Sequence, residues 1–108
     1  MEQLSKIYIA GHKGLVGTAL TRQLQSQGYT NILTTDIDLR SQQSVSEYFY
    51  HEKPEYVFLA AAKVGGIGFN KAFPADFIRD NLLIQTNVID SARVYGTKKL
   101  MFLGTACI

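Results

Sequence analysis

A chain of 108 residues has room for one compact domain, and a composition of 46% hydrophobic and 19% charged residues excludes the disordered and fibrous classes. Eleven Lys and Arg against nine Asp and Glu leave a net charge of +2 without a cationic segment, so we expect no nucleic-acid partner. The N-terminal apolar run is too short for a signal peptide or a membrane span, which predicts a cytoplasmic protein without a membrane partner. The single cysteine, Cys107, excludes an intramolecular disulfide, and no Cys/His cluster indicates a metal site.

The first half of the chain predicts two strands, each followed by a helix. A β-branched and aromatic run at residues 6–11 predicts the first strand, and apolar residues at helical spacing predict a helix over residues 15–28. Residues 31–35 predict the second strand, and a short helix is expected over residues 41–51.

The second half predicts two further strands on either side of a long helix. Residues 55–62 form a continuous apolar run, which is typical of a strand covered on both faces. A loop with three glycines and a proline follows over residues 63–76. Apolar spacing then predicts a helix over residues 75–95 that ends at Gly96, and residues 99–104 predict the fourth strand.

Alternating strands and helices predict a parallel sheet with right-handed crossovers and with helices on both faces. We therefore predict an α/β fold, the N-terminal part of a Rossmann-like doubly wound parallel sheet with strand order 3-2-1-4. The last strand would lie at the boundary of the sheet with nothing after it, so we expect a truncated chain. Residues 1–108 are interpreted as the N-terminal part of an NAD(P)-binding domain.

A glycine-rich turn between the first strand and the first helix predicts a phosphate site. Gly11 would turn the chain sharply, a side chain at Gly14 would block a pyrophosphate, and Gly17 would let the helix pack tightly on the sheet. Free N–H groups at the helix N-terminus would then hold the phosphates. The spacing alone is a weak motif, and an incidental glycine turn is the alternative, but the flanking strand and helix favour a dinucleotide. The predicted cofactor-binding residues of the turn are Gly11, His12, Lys13, Gly14, Leu15, Val16 and Gly17.

The choice between NAD and NADP is left open by two residues of opposite charge. Asp36, after the second strand, is placed to accept a hydrogen bond from the adenosine 2′-hydroxyl, which favours NAD. Lys13 could neutralise a 2′-phosphate, which favours NADP. Solvated charge is the alternative for both residues, and His12 is expected on the solvated surface without a partner. Asp38 and Leu39 are predicted to line the adenine pocket.

Four segments together resemble the GDP-L-fucose synthases of the extended short-chain dehydrogenase/reductase superfamily, within the NAD-dependent epimerase/dehydratase proteins. They are AGHKGLVG at residues 10–17, LAAAKVGGI at 59–67, PADFIRDNLLIQTNVIDSA at 74–92 and FLGTACI at 102–108. The resemblance spans the chain and covers the N-terminal third of such an enzyme. It implies NADP(H)-dependent conversion of GDP-4-keto-6-deoxymannose to GDP-L-fucose, by two epimerisations and a hydride transfer, with NAD as the other possible cofactor.

The resemblance also implies roles for particular residues. Thr105 stands at the position of the catalytic serine, whose hydroxyl hydrogen-bonds the keto oxygen, and Cys107 stands at the cysteine that removes the proton beside the ketone. Lys13 stands where an arginine commonly lies near the 2′-phosphate. Ala61 and Ala62 would pass under the cofactor. The loop that would border the nicotinamide and the substrate consists of Lys63, Val64, Gly65, Gly66 and Ile67.

The resemblance further implies that part of the machinery lies beyond Ile108, including the Tyr-x-x-x-Lys pair and a histidine acid. We therefore expect the 108-residue chain alone to be inactive. Tyr95 and Lys99 have the right spacing, but they flank a predicted helix end and precede Thr105, so we reject them as that pair. The family forms homodimers through the helix that matches residues 75–95. Two alternatives are another nucleotide-sugar epimerase, dehydratase or reductase, and a non-catalytic dinucleotide-binding module.

Overall fold

The computed structural model describes residues 2–60 and 74–102, and in the second range it describes side chains from residue 78 onward. Each predicted helix and strand is confirmed there, with helix ends that differ by no more than two residues. In chain order the elements are β1 (Ile7–Ala10), α1 (Leu15–Ser26), β2 (Ile32–Leu33), α2 (Gln42–Glu52), β3 (Tyr56–Leu59), α3 (Pro74–Val94) and β4 (Lys99–Phe102).

The strands form a parallel sheet in the order β2-β1-β3-β4. The doubly wound α/β fold is therefore confirmed, whereas the predicted order 3-2-1-4 is wrong, because β3 pairs with β1 and not with β2. The reason lies in β3 itself, where Val57 and Leu59 are buried on one face while Tyr56 and Phe58 are half-buried on the other. A strand that is apolar on both faces gains most from a central position, and the two-residue, half-exposed β2 lies at the edge.

Helices cover both faces of the sheet, and alternate residues of β1 face different layers. Ile7 and Ile9 pack with Leu24 of α1 on one face. Tyr8 and Ala10 face the larger cluster on the opposite side, which α2 and α3 complete. This second cluster contains the buried side chains of Val45, Phe49, Val57, Leu59, Ile84, Val88 and Ala92. The strand order reverses direction between β1 and β3, which makes their carboxyl ends the topological switch point of the sheet.

The amino ends of three strands are joined by Glu55, the residue before β3. One carboxylate oxygen accepts a hydrogen bond of 3.1 Å from the backbone N–H of Lys6, and the other lies 3.1 Å from Lys98 Nζ. The hydrogen bond from Lys6, followed by the contact with Lys98, lowers the pKa of Glu55 below its ordinary value. The charged form of Glu55 thus supports the alignment of β1, β3 and β4.

Alanine substitutions of two leucines on α1 test how this helix packs against β1. Leu24 is 4% exposed and Leu15 is 90% exposed, so the two side chains differ in burial and not in chemistry. We expect Leu24→Ala to lower the free energy of unfolding by about 2 to 5 kcal/mol. Leu15→Ala, measured without nucleotide, should change it by less than about 0.5 kcal/mol. Urea unfolding measures both, and equal effects would show that α1 is not packed through Leu24.

The depressed pKa of Glu55 predicts a pH-dependent contribution to stability. A carboxyl with a folded-state pKa below its ordinary value of 4.5 stabilises the fold above that pH and loses its contribution as pH falls through the folded pKa. The melting temperature of Glu55→Gln should therefore lie below that of the wild type at neutral pH. The gap should narrow progressively as the pH falls below 4.5.

Thermal unfolding of the two proteins across that pH range is the measurement. Glu47→Gln on the exposed face of α2 is the control, and it should melt close to the wild type throughout. A difference in melting temperature between Glu55→Gln and the wild type that is constant with pH would contradict a stabilising role of the charged Glu55 carboxylate.

Candidate functional site

The candidate site lies at the switch point, where the carboxyl ends of β1 and β3 are held side by side. The backbone N–H of Ala60 donates a hydrogen bond of 2.9 Å to the carbonyl oxygen of Ala10. Immediately after Ala10 the chain turns at Gly11, whose φ of 91° is in the left-handed region. Glycine adopts this conformation without steric cost, so the predicted reason for Gly11 is confirmed.

The turn leads directly into α1. The N–H of Gly14 donates 3.1 Å to the carbonyl of Gly11, and the N–H of Thr18 donates 2.8 Å to the carbonyl of Gly14, which begins the helix. Gly14 is the N-cap residue, and α1 has neither a side-chain cap nor an acidic residue in its first turn. The positive end of the helix dipole is therefore not neutralised by α1 itself, which favours an anion at this end.

Gly14 leaves open space in front of the helix. A Cβ placed on Gly14 would have its nearest neighbour, the carbonyl oxygen of Gly11, at 3.6 Å, which is an ordinary contact. Its backbone, with φ of −74° and ψ of 170°, is also accessible to any residue. Neither packing nor conformation requires glycine here, and its lack of a side chain leaves the helix end accessible.

Gly17 has the opposite environment. A Cβ on Gly17 would overlap the carbonyl oxygen of Gly11 and would lie 2.8 Å from its carbonyl carbon and 2.9 Å from His12 Cα. The expectation that Gly17 lets the helix approach the sheet therefore needs a correction. The close approach is to the backbone of the turn itself, which folds back over the first turn of α1.

Apolar side chains flank the helix end. Leu15 is 90% exposed and Val16 is 55% exposed, although both belong to the first turn of α1. Exposure of two adjacent aliphatic side chains beside free backbone donors suits a ligand that combines anionic groups with apolar surface. The geometry thus provides polar contacts at the helix axis and apolar contacts beside it.

A cluster of three charged or titratable side chains lies beside the turn. Lys13 Nζ is 3.0 Å from Asp36 Oδ1, and His12 Nε2 is 3.7 Å from the same oxygen. The hydrogen bond from Lys13 and its positive charge lower the pKa of Asp36. The structure therefore brings the two candidate ribose-selecting residues into direct contact. The expectation of a solvated His12 without a partner is wrong, because its side chain is 23% exposed and lies near Asp36.

The loop after β2 is attached to α3. Asp38 Oδ1 accepts hydrogen bonds from the backbone N–H and from Nε of Arg40, and Arg40 Nη1 lies 3.6 Å from Asp80 on α3. The carbonyl of Leu39 accepts a hydrogen bond of 3.0 Å from Nδ2 of the buried Asn87. The predicted adenine-pocket residues Asp38 and Leu39 therefore lie on a loop that is held in place, and their part in binding stays a prediction.

Sequence reasoning missed Arg40 and Asp80 as the link between this loop and α3. They are separated by 40 positions, and neither belongs to a spacing motif, so no local signal could have found them. The structural ground for rejecting Tyr95 and Lys99 as that pair is confirmed, because the two residues do not lie on one continuous helix. Tyr95 lies after α3, 3.0 Å from Ser46 Oγ through its hydroxyl, whereas Lys99 lies on β4.

Several predicted site residues lie outside the described residues. These are Ala61, Ala62, Lys63, Val64, Gly65, Gly66, Ile67, Thr105 and Cys107. Among residues 2–60 and 74–102, the structure contains no group of three or more His, Cys, Asp and Glu side chains that could hold a metal ion. Over the same described ranges, no helix has the length and apolar character to cross a membrane.

Sequence comparison with known proteins identifies the family to which the chain is similar. A sequence model of the NAD dependent epimerase/dehydratase family matches residues 7–108. A GDP-L-fucose synthase of Arabidopsis thaliana is 56% identical over 110 residues, which cover 99% of this chain and 34% of that protein. The GDP-L-fucose synthase of Escherichia coli K12 is 42% identical over 106 residues, with 95% and 33% covered. The chain therefore spans about a third of the length of these relatives.

Solved structures of enzymes that act on GDP-linked sugars have the same fold as this chain. The GDP-mannoheptose C4 reductase MlghC from Campylobacter jejuni, with NADP bound, superposes with a TM-score of 0.90 at 50% identity, covering 94% of this chain and 33% of that one. A GDP-L-fucose synthetase from Naegleria fowleri bound to NADP superposes with a TM-score of 0.78 at 27% identity, covering 94% and 34%.

The environments of Gly17 and Gly14 predict unequal effects of an alanine substitution on stability. Gly17→Ala should lower the free energy of unfolding by about 1 to 3 kcal/mol, because its methyl group would overlap the Gly11 carbonyl. Gly14→Ala should change it by less than about 1 kcal/mol, because its Cβ meets only an ordinary contact. Urea unfolding of both variants without nucleotide is the measurement. A more damaging Gly14→Ala would contradict the geometry of the turn.

Proposed function

Because this chain belongs to the NAD dependent epimerase/dehydratase family, we propose that it is the N-terminal, dinucleotide-binding part of an enzyme that converts GDP-4-keto-6-deoxymannose to GDP-L-fucose with NADP(H). One observation supports the binding role most directly. The open space at Gly14 exposes an uncapped helix N-terminus at the switch point of a parallel sheet. The identity to two GDP-L-fucose synthases supports the choice of substrate.

The described residues fit a nicotinamide dinucleotide. The N-terminus of α1 would hold the pyrophosphate through backbone N–H groups, and Gly14 would admit it. Leu15 and Val16 would contact apolar surface of the cofactor, while Lys13 and Asp36 lie where the adenosine ribose is expected. NADP is proposed as the physiological cofactor because two structural neighbours are described with NADP bound.

The proposed chemistry on the sugar uses residues near the end of the chain. The bound cofactor supplies the hydride for reduction of the keto group. Cys107, as a thiolate, would remove the proton from the carbon beside that group, and the electron pair of the broken C–H bond would move to the keto oxygen as an enolate. The hydroxyl of Thr105 would donate a hydrogen bond to this oxygen. A positioned base or donor of this kind contributes about two to four powers of ten in rate.

Further contacts are proposed for the loop after β3. Ala61 and Ala62 would pass under the cofactor, and Lys63, Val64, Gly65, Gly66 and Ile67 would border the nicotinamide and the sugar. We propose as proton donor for hydride transfer the Tyr-x-x-x-Lys pair that the family resemblance implies beyond Ile108. We therefore propose that these 108 residues bind cofactor but do not turn over substrate by themselves.

A homodimer through α3 is also proposed. Ile78, Leu82 and Ile89 follow one another along α3 at four- and seven-residue intervals, and all three are exposed. Such spacing places side chains on one face of a helix, and an exposed aliphatic stripe favours association. The stripe is available because Ile84 and Val88, on the opposite face, fill the core.

Nucleotide titration tests the proposed binding role. NADP at about 100 times its dissociation constant should stabilise the chain by about 2.7 kcal/mol, which raises the melting temperature by about 10 °C. Gly14→Ala should lose this shift, because its methyl group would occupy the space in front of the helix. Gln25→Ala, at the exposed far end of α1, is the matched control and should keep it.

Two outcomes of the titration and one of a separate turnover assay are decisive. A wild-type chain that shows no shift with NADP or NAD would refute the binding role. A Gly14→Ala variant that binds as well as the wild type would show that the site lies elsewhere. Turnover of GDP-4-keto-6-deoxymannose with NADPH by the 108-residue chain would refute its proposed inactivity, and cofactor binding with no turnover agrees with the proposal.

A further inference from the structure

We propose that Lys13 and Asp36 form one exchangeable ion pair that limits discrimination between NADP and NAD. With NADP, the ammonium group of Lys13 leaves Asp36 for the 2′-phosphate. With NAD, the pair stays intact and Asp36 accepts a hydrogen bond from the 2′-hydroxyl. This inference rests on the proposed binding of a nicotinamide dinucleotide at the turn, and it concerns which of the two cofactors the site accepts.

The geometry of the pair is the first argument. Lys13 Nζ lies 3.0 Å from Asp36 Oδ1, which is a direct hydrogen-bonded contact between opposite charges. Lys13 is on the glycine-rich turn and Asp36 follows β2, so the contact spans the two segments that would surround the adenosine ribose. A cation suited to a phosphate and a carboxylate suited to a hydroxyl are therefore in contact in the same place.

The exposure of the pair is the second argument. Both side chains are mostly exposed, at 74% for Lys13 and 70% for Asp36. An exposed ion pair contributes little to stability, because water and side-chain entropy offset most of the attraction. Lys13 can therefore change partner at small cost, whereas a buried pair would resist it.

The charge balance is the third argument. Lys13 and Asp36 together have no net charge, so the pair neither strongly attracts nor strongly repels a dianionic 2′-phosphate. When Lys13 moves to the 2′-phosphate, the carboxylate of Asp36 is left close to another negative charge. The repulsion reduces the affinity for NADP that the Lys13 contact adds. The side chain of His12 also lies beside the Asp36 carboxylate, with Nε2 3.7 Å from Oδ1. NADP is therefore favoured by less than Lys13 alone would allow.

Calorimetric titration with NADP and with NAD, at low ionic strength where charge effects are least screened, tests the pair. Asp36→Asn should bind NADP about tenfold more tightly and NAD a few-fold more weakly, because the repulsion is removed and the charged carboxylate acceptor is replaced by a weaker amide oxygen. Lys13→Gln should bind NADP about tenfold more weakly and leave NAD within about twofold. Asp90→Asn, which removes the carboxylate of another exposed pair, with Arg93, is the control for net charge and should match the wild type for both nucleotides.

The double variant separates an exchanging pair from two independent charges. If NADP breaks the pair, the effects of the two single variants on NADP affinity should differ from additivity by about two- to fivefold, which is the usual value of an exposed pair. For NAD they should add, because the pair remains intact in that complex. Additive effects for NADP would overturn the exchange, and so would an NADP to NAD affinity ratio that Asp36→Asn leaves unchanged.

The wild-type titration distinguishes failure of this inference from failure of the proposed function. If the wild type binds neither nucleotide, the binding role and the exchange fall together. If it binds both and the variants leave the ratio of affinities unchanged, the binding role stands and only the exchange is refuted.

Discussion

The site depends on a close backbone contact between the first turn of α1 and the turn that follows β1. This contact is possible only because Gly17 has no side chain where the carbonyl of Gly11 lies. It aims the N-terminus of α1 at the carboxyl end of the central strands, and it leaves the space beyond Gly14 open. A helix dipole is useful to a bound anion only within the first turn of the helix, so this positioning determines where phosphates can bind.

A second constraint acts on the other side of the site, where the loop after β2 is held against α3. Arg40 contacts both Asp38 and Asp80, and Asn87 donates to the carbonyl of Leu39. A two-residue edge strand alone would position this loop poorly, because it has few ladder hydrogen bonds. The attachment to α3 compensates, and it orients the loop that bears Asp36 toward Lys13. The proposed ribose-selecting region is thus built from two separate segments, each fixed by its own contacts.

The sheet shows which features a sequence pattern can predict and which it cannot. Each strand and helix was predictable from apolar spacing and glycine positions, because these patterns act between residues a few positions apart. The strand order was not predicted, although residues 55–62 already read as a strand covered on both faces, which is a requirement for a central position. The left-handed turn at Gly11 followed from the motif, and the part of Gly14 in admitting a pyrophosphate stays a prediction from it, whereas the actual contact of Gly17 depended on how the turn folds back. The family resemblance rested on segments of the chain and agrees with the family that matches residues 7–108.

By itself the amino-acid sequence determined the succession of strands and helices and the strand-turn-helix context of the three glycines. Local backbone preferences and side-chain periodicity are sufficient for each of these. Only the tertiary structure decided that β3 lies beside β1, that Arg40 joins the β2 loop to α3, and that Lys13 contacts Asp36. These features join residues that are 23 or more positions apart. Such residues come into contact only after the sheet has assembled and each crossover helix has packed on one face of it. The sequence shows both charges of the proposed ribose site, but their direct contact is a property of the fold.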